Sequence, residues 1–506
     1  SKAEEKREVL FLAVILVAAT FLRFYRIGGQ SYWIDELLSL GASSTPEGIS
    51  FWKKILYDVH GPLHTVIIHF LRQISTAEYL LRAPSAVAGI LSVYFIYRWL
   101  IILGRRDVAL YGALFLALHP YNLYYSQELR FYSLLTLFVI LSMIAFERYL
   151  RDPTIGRGLV LGVTLTCASF SHFSAFFLPV GFFVYLLVSR RLDRRYVTAG
   201  LVAMAVLLLA SSPWIYREIK ILGEINVVNI STLPVEERLR GDLTLNPWSY
   251  PYTVYAFSVG YSFGPDLRVL HGIDSATDLL GAYWRELLLV AMLFGFLLIG
   301  GIRDAARRMR LALFLSIALT SAALITVIVL LNIKVFNVRY LTVIFPVYLA
   351  LIVYGLPRGR LARPIAIWVV CAFLVVSSWN YHKDPIYARD DIRSAVERIE
   401  LGERKGDLIL TINSGSVIEH YYRGDNQVNE IVPVELGQEE IDARADRHLD
   451  RGGRVWYLRC RHWDTDPLDM VLKALEREGI TVEEQEFPGV RLFLFEGMTQ
   501  ADEKGR

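Results

Sequence analysis

Over most of this chain apolar residues do not alternate with polar ones; they run. The runs are 15 to 24 residues long, most of them enough for a helix to cross a ~30 Å hydrocarbon core. They fall at 9–27, 80–103, 107–125, 128–149, 158–174, 175–189, 197–216, 282–302, 311–332, 340–356 and 364–380. The pattern predicts about 11 transmembrane helices. A further stretch, 60–74, is short and carries His60, His64, His69 and Arg72. Its length predicts a helix lying at the membrane surface, not a crossing. The first run follows Lys6 and Arg7 and is followed by Arg23 and Arg26, with no small-residue cleavage site. It is expected to be an anchor and not a cleaved signal.

The pattern changes after residue 380. Short β-type runs (408–412, 428–432, 455–458, 481–487 and 490–495) alternate with helical ones (392–401, 416–422, 438–449 and 467–478). Such alternation predicts a small α/β domain over 381–506. Residues 1–380 then form the membrane domain, with two long non-crossing segments at 28–79 and 217–281. The second is rich in Tyr, Pro and Gly.

Composition narrows the class. Hydrophobic residues make up 54% and charged residues 20%, against about 25% charged in soluble domains. This excludes a soluble globular enzyme, a disordered chain and a nucleic-acid binder. The net charge of +3, from 53 basic and 50 acidic residues, points to no partner. Cys167 and Cys371 lie in apolar runs and Cys460 in the tail, so neither a disulfide framework nor a metal-ligand spacing exists.

Where the basic residues lie is more informative. With 60–74 kept out of the membrane, one side holds Lys2, Lys6, Arg7, Arg105, Arg106, Arg148, Arg151 and Arg157. It also holds the arginines of 190–195, 303–310 and 358–363. The opposite short loops hold Arg130, Lys334 and Arg339. The positive-inside rule then predicts a cytoplasmic N-terminus, an extracytoplasmic tail and a multi-pass plasma-membrane protein.

That topology gathers five polar segments at the outer face: Trp33-Ile34-Asp35-Glu36, Asp58 to His64, Ser126 to Tyr132, Ser171-His172-Phe173 and Asn332 to Tyr340. Ionisable groups at membrane depth are costly, so their convergence marks a site. Arg130, Lys334, Arg339 and His60 offer positive charge suited to a phosphate on a lipid tail. Asp35 and Glu36 offer carboxylates suited to general-base work. Glu128, His64, His172 and Tyr340 are further candidates. Glu128 and Arg130 also read as tight-turn residues that pair with each other or with lipid headgroups, and the histidines as packing residues. His60 and His64 have the i, i+4 spacing of a metal pair, but without a third ligand a divalent metal is not favoured and no cofactor is required.

These residues resemble a known family. The acidic pair, the His60-Gly61-Pro62-Leu63 opening of a short helix and Leu81-Arg82-Ala83-Pro84-Ser85 are similar to those of polyprenyl-phosphate-dependent membrane glycosyltransferases. So are the Tyr125-Ser126-Gln127-Glu128-Leu129-Arg130-Phe131-Tyr132 turn and Val338-Arg339-Tyr340. The branch is glycosyltransferase family 39 with the protein O-mannosyltransferases and aminoarabinose transferases, of the GT-C fold. The likeness is strong over about 1–190 and weaker over 330–350.

The resemblance implies Asp35 as general base, Glu36 as its companion and Arg130 on the donor phosphate. It implies that Arg339 shares that phosphate and that His60 stands near the donor. It also implies a sugar donor on dolichyl or undecaprenyl phosphate, inversion at the anomeric carbon and no metal. Gly61 replaces a proline of the family pattern, which predicts a looser entry to the helix. The resulting expectation is a GT-C fold with an extracytoplasmic α/β domain, moving a sugar to a hydroxyl of a lipid, glycan or protein acceptor. The alternative is a lipid-linked glycan transporter or an inactive lipid-phosphate-binding scaffold. A transporter is expected to carry polar groups in mid-helix along a pathway; here they cluster at one face.

Overall fold

The computed structural model describes residues 2–45, 50–55, 61–224, 245, 247–266, 269–270, 276–331, 333, 336–449 and 453–497. His60, Asp58, Asn332, Lys334 and, within 217–281, residues 225–244, 246, 267–268 and 271–275 lie outside them.

The first part of the chain is α1 (Lys2–Phe24), α2 (Ile34–Ala42), α3 (Phe51–Ile55), α4 (Pro62–Arg72), α5 (Glu78–Ile102), α6 (Arg106–Leu118), α7 (Pro120–Ser126) and α8 (Tyr132–Arg151). Further helices cover Ile155–Ser169, Phe177–Val188, Arg194–Glu224, Ser249–Val259, Ala276–Arg307, Leu311–Leu330, Phe345–Tyr354 and Ala362–Lys383. Each of the eleven expected runs therefore carries helix. Among the described residues six helices are long and apolar enough to cross a membrane by length and composition: 78–102, 132–151, 194–217, 277–307, 311–330 and 362–383. The 107–125 run is not one helix. His119 is extended and Pro120 starts a new helix, because proline cannot donate the bond that would continue the first. The 340–356 run opens with a 3-10 turn over Val338–Ile344. The 60–74 stretch is the 11-residue α4, too short to cross.

Burial sorts these helices. Within its apolar window α8 is 83% buried, against 22% for 194–217 and 277–307. So α8 is the centre of the bundle, and the outer helices turn Leu, Val and Phe side chains outward, as lipid-facing surfaces require. Small residues bring helices into contact: a Cβ on Gly301 would sit 1.9 Å from the carbonyl oxygen of Leu351. Only glycine permits that approach.

The arginine-rich loops meet at one end of the bundle. Arg105 and Arg358 both bind Asp304, and Arg310 binds Glu147. Asp35, Arg130, His172 and Arg339 belong to the loops at the opposite ends of the same helices.

The tail holds a five-stranded mixed sheet in the order β2-β1-β3-β5-β4, with β1 (Leu408–Thr411), β2 (Gln427–Glu430), β3 (Arg454–Cys460), β4 (Gly479–Phe487) and β5 (Val490–Gly497). β1 runs parallel to β2 and β3; β5 is antiparallel to β3 and β4. The period-2 rule explains why its central strands are apolar throughout. Ile409, Trp456, Leu458 and Leu494 pack under helices 392–402 and 415–421. Leu408, Leu410, Val455, Tyr457, Phe493 and Phe495 pack under helices 433–449 and 470–478. Both faces are covered, so both sets of alternating positions are hydrophobic.

Candidate active site

Asp35 and Glu36 occupy the first turn of α2, where the helix dipole favours negative charge. Successive helical residues point apart, so the two carboxylates have different surroundings. Glu36 points inward and is fully buried. Arg82 binds both of its oxygens, Nε to Oε1 and Nη2 to Oε2, each at 2.8 Å. The Leu129 N–H donates to Oε1 at 2.7 Å, and Arg389 Nη1 donates to Oε2 at 3.3 Å. Burial pushes this carboxyl upward, but the Arg82 and Arg389 charges outweigh it and hold it below the usual carboxylate range. Every direction of approach to Glu36 is thus occupied. Glu36, expected beside Asp35 in catalysis, is enclosed by these partners and ties α2 to α5 through Arg82.

Asp35 keeps partial exposure, 18% of its side chain. Arg339 Nη1 donates to its Oδ2 at 2.8 Å. Arg130 Nη2 lies 3.7 Å from the same oxygen, and Arg130 Nη1 donates to the Asp35 carbonyl oxygen at 2.8 Å and to Ser39 Oγ at 2.9 Å. Two guanidinium groups therefore flank one carboxylate at an opening in the protein.

Local sequence places both arginines. Arg130 lies in the five-residue turn between α7 and α8. Gln127 fixes that turn by donating to the carbonyl oxygens of Leu22, Arg23 and Tyr25 at the end of α1. Ser85 Oγ fixes it from α5 by donating to the Arg130 carbonyl oxygen at 2.8 Å. Arg339 lies one residue into the 3-10 turn that Asn337 caps, its N–H bonded to Asn337 Oδ1.

Aromatic rings form the floor. The Arg130 guanidinium lies 4.7 Å from the Phe131 centroid and the Arg339 guanidinium 5.7 Å from that of Tyr132. His172 stacks on Phe131 at 5.2 Å and on Tyr340 at 5.6 Å, and its Nδ1 is 2.8 Å from Ser174 Oγ. His64, on α4, meets the edge of Phe131 at 6.4 Å. His172, His64 and Tyr340 thus join the aromatic floor.

Two expectations need correction. Glu128 does not pair with Arg130. It is fully buried, neither carboxylate oxygen has a hydrogen bond, and its ion-pair partner among the described residues is Arg389, at 3.7 Å. Nor is the entry to α4 loose. A Cβ on Gly61 would fall 2.0 Å from the Phe170 carbonyl oxygen, and the Leu63 N–H donates to that same oxygen at 3.0 Å. The glycine lets α4 dock on the 170–172 turn.

Sequence reasoning missed Arg82, Ser39 and Arg389. Ser39 stands at i+4 from Asp35, the spacing of neighbours on one helix face. Arg82, a charge inside an apolar run, gave a signal of the same kind. Arg389 gave little beyond following the last apolar run. It also lines a cavity of about 100 Å³ with Tyr124, Tyr261, Tyr381, Arg461 and Trp463, whose lining does not include Asp35. Among the described residues no group of three or more His, Cys, Asp or Glu side chains is placed to hold a metal ion.

Residues 59–216 match the sequence model of the dolichyl-phosphate-mannose-protein mannosyltransferases. No curated protein matches the chain by sequence. The structure of ArnT from Cupriavidus metallidurans superposes with a TM-score of 0.53 at 13% identity, covering 97% of this chain and 98% of that one. The oligosaccharyltransferase AglB from Archaeoglobus fulgidus, solved with an inhibitory peptide and a dolichol-phosphate, gives a TM-score of 0.50 at 12% identity, over 99% of this chain and 75% of that one. The S. cerevisiae protein O-mannosyltransferase Pmt1-Pmt2 complex matches 43% of this chain at 21% identity and a TM-score of 0.34, and the match spans only 34% of that chain. The mostly helical chain with its small C-terminal sheet thus has the fold of the GT-C polyprenyl-phosphate-dependent membrane glycosyltransferases, and over 59–216 it resembles the mannosyltransferase family within them.

Proposed function

We propose that this protein is an inverting glycosyltransferase. It moves a sugar from a polyprenyl-phosphate donor to a hydroxyl of a lipid, glycan or protein acceptor at the outer membrane face. The observation that carries the reading is the Asp35 carboxylate held between Arg339 and Arg130 at an opening above an aromatic floor.

The geometry suits a single displacement. Asp35 balances the Arg339 charge. A donor phosphate arriving through the lipid boundary competes for that guanidinium, and Asp35 Oδ2 then accepts a hydrogen bond from an acceptor hydroxyl. As the acceptor oxygen forms its bond to the anomeric carbon, its proton passes to Asp35. The bond from that carbon to the phosphate oxygen breaks, and the guanidinium groups stabilise the departing phosphate. The leaving group is already a stable anion, so no acid need protonate it. That accounts for arginines, and not a second carboxylic acid, beside Asp35. The aromatic floor offers stacking surface to sugar or prenyl carbons. His60 and Lys334, outside the described residues, remain proposed donor-side contacts.

The deciding experiment is a transfer assay on purified protein with a panel of polyprenyl-phosphate sugars, wild type beside Asp35→Asn. Release of polyprenyl phosphate by wild type alone supports the reading. Equal release by both removes Asp35 as the base.

A further inference from the structure

Arg389 is not part of the membrane bundle, yet it sits inside the charge cluster that holds α2. It follows the last long helix by six residues and is 8% exposed. Its guanidinium lies 3.3 Å from Glu36, 3.7 Å from Glu128 and 4.8 Å from the Tyr124 ring centroid. Arg82 cannot serve both carboxylates. Its donors are committed to Glu36 and to the carbonyl oxygens of Ile27, Gln30 and Ser31, and it also faces Glu78 at 3.4 Å. Among the described residues Arg389 is the cation within ion-pair distance of Glu128.

The two residues after Arg389 tie it to other parts of the molecule. Asp390 accepts from Arg461 Nε at 2.7 Å, and the Arg461 guanidinium lies 5.2 Å from the ring centroid of Trp33, two residues before Asp35. Asp391 caps the first tail helix and accepts from Ser31 Oγ at 3.0 Å. Three consecutive side chains thus reach the bundle, the tail sheet and the segment leading into α2.

We infer that the tail is a working part of the site: Arg389 is a positioning residue whose charge balances Glu36 and Glu128 and so fixes the helix turn that presents Asp35. The inference rests on the transferase reading for its kinetic readout. It also predicts a coupling that needs no turnover. With Arg389 gone, Glu128 is left buried with no cation within ion-pair distance among the described residues; removing its charge relieves that. A residue that merely packs the tail against the bundle gives losses that add.

The test is a double-mutant cycle of Arg389→Met and Glu128→Gln, with Arg389→Lys alongside, assayed at pH 8. Arg389→Met is expected to lower kcat at least ten-fold with donor KM within about three-fold. Arg389→Lys is expected to retain most of the rate. The double variant is expected to return to within about three-fold of Glu128→Gln alone, and the thermal midpoints are expected to be non-additive in the same sense. Additive losses, or an Arg389→Met enzyme with wild-type kcat, overturn the inference. If Arg389→Met does not fold, the double variant should; failure of both, with Arg389→Lys folded, also overturns it. If wild type transfers no sugar from any donor, the transferase reading fails, and the thermal cycle still decides the coupling.

Discussion

Asp35 and Arg339 stand 304 positions apart in the chain and 2.8 Å apart in space, Oδ2 to Nη1. The contact joins the start of α2 to a capped 3-10 turn late in the bundle. Arg130 contacts the same carboxylate from a third segment. Two loops at one end of the helices thus converge on one oxygen atom presented by α2.

The first prediction concerns that oxygen. Asp35→Asn keeps the shape and removes the proton acceptor. Turnover should fall by about 10²–10⁴-fold, the usual worth of a positioned base. Donor affinity, measured with a labelled polyprenyl-phosphate sugar, should stay within about three-fold. A variant that binds donor and turns over at near-normal rate would remove the base from Asp35.

Arg339→Ala should act on binding. A charge-assisted hydrogen bond contributes about 1.5–3 kcal/mol, so donor affinity should weaken roughly 10- to 100-fold. Arg339→Lys should recover only part, since one ammonium cannot reproduce a planar fork. Equal donor affinity in wild type and Arg339→Ala would place the phosphate elsewhere.

Glu128 gives a pH dependence. Burial raises its carboxyl from 4.5 to about 7; the Glu36 charge adds to this, while Arg389, Arg130 and Arg339 oppose it. The folded protein therefore keeps a proton there in a range where the unfolded chain has lost it. Stability from this group falls as pH rises from about 4.5 to about 7. At ~1.4 kcal/mol per pKa unit the full effect is about 3 kcal/mol. Glu128→Gln should match wild type in thermal midpoint near pH 4 and exceed it at pH 8. A difference that does not change with pH would contradict this.

Glu36→Ala should damage the fold more than the chemistry. It leaves the Arg82 charge buried without its bidentate partner, at a cost of about 3–5 kcal/mol. Thermal unfolding in detergent should shift down sharply, and a protease should cut near α2 sooner. Glu36→Ala with wild-type stability would mean that the pair does not anchor the helix.

Gly61→Ala tests the docking of α4. Its Cβ meets a backbone oxygen and not a flexible side-chain end, so the helix must move. Overpacking of this kind costs about 1–3 kcal/mol. The expected readout is a lower thermal midpoint with a raised donor KM. An unchanged midpoint would show that α4 shifts freely.

The sequence alone determined what depends on hydrophobic periodicity and local chemistry. Run lengths located the apolar helices, six of which, among the described residues, are long enough to cross a membrane, because a helix satisfies its own backbone groups in lipid. Short β-type runs located the five described tail strands, and the central ones are apolar throughout because both faces of the sheet are covered there. Residue types at the loop ends named Asp35, Arg130 and Arg339. Only the tertiary structure decided which of these meet and which way each points. Asp35 and Glu36 are neighbours in sequence, yet one faces the opening and the other a closed arginine cluster, because a helix turns ~100° per residue. Gly61 read as a weak helix entry until the Phe170 carbonyl oxygen appeared against it. Glu128 read as a partner of Arg130, two residues away, and is instead paired with Arg389, which only the docking of the tail brings within reach. Ion pairs between distant segments leave no period in a sequence, since they depend on packing geometry and not on spacing along the chain.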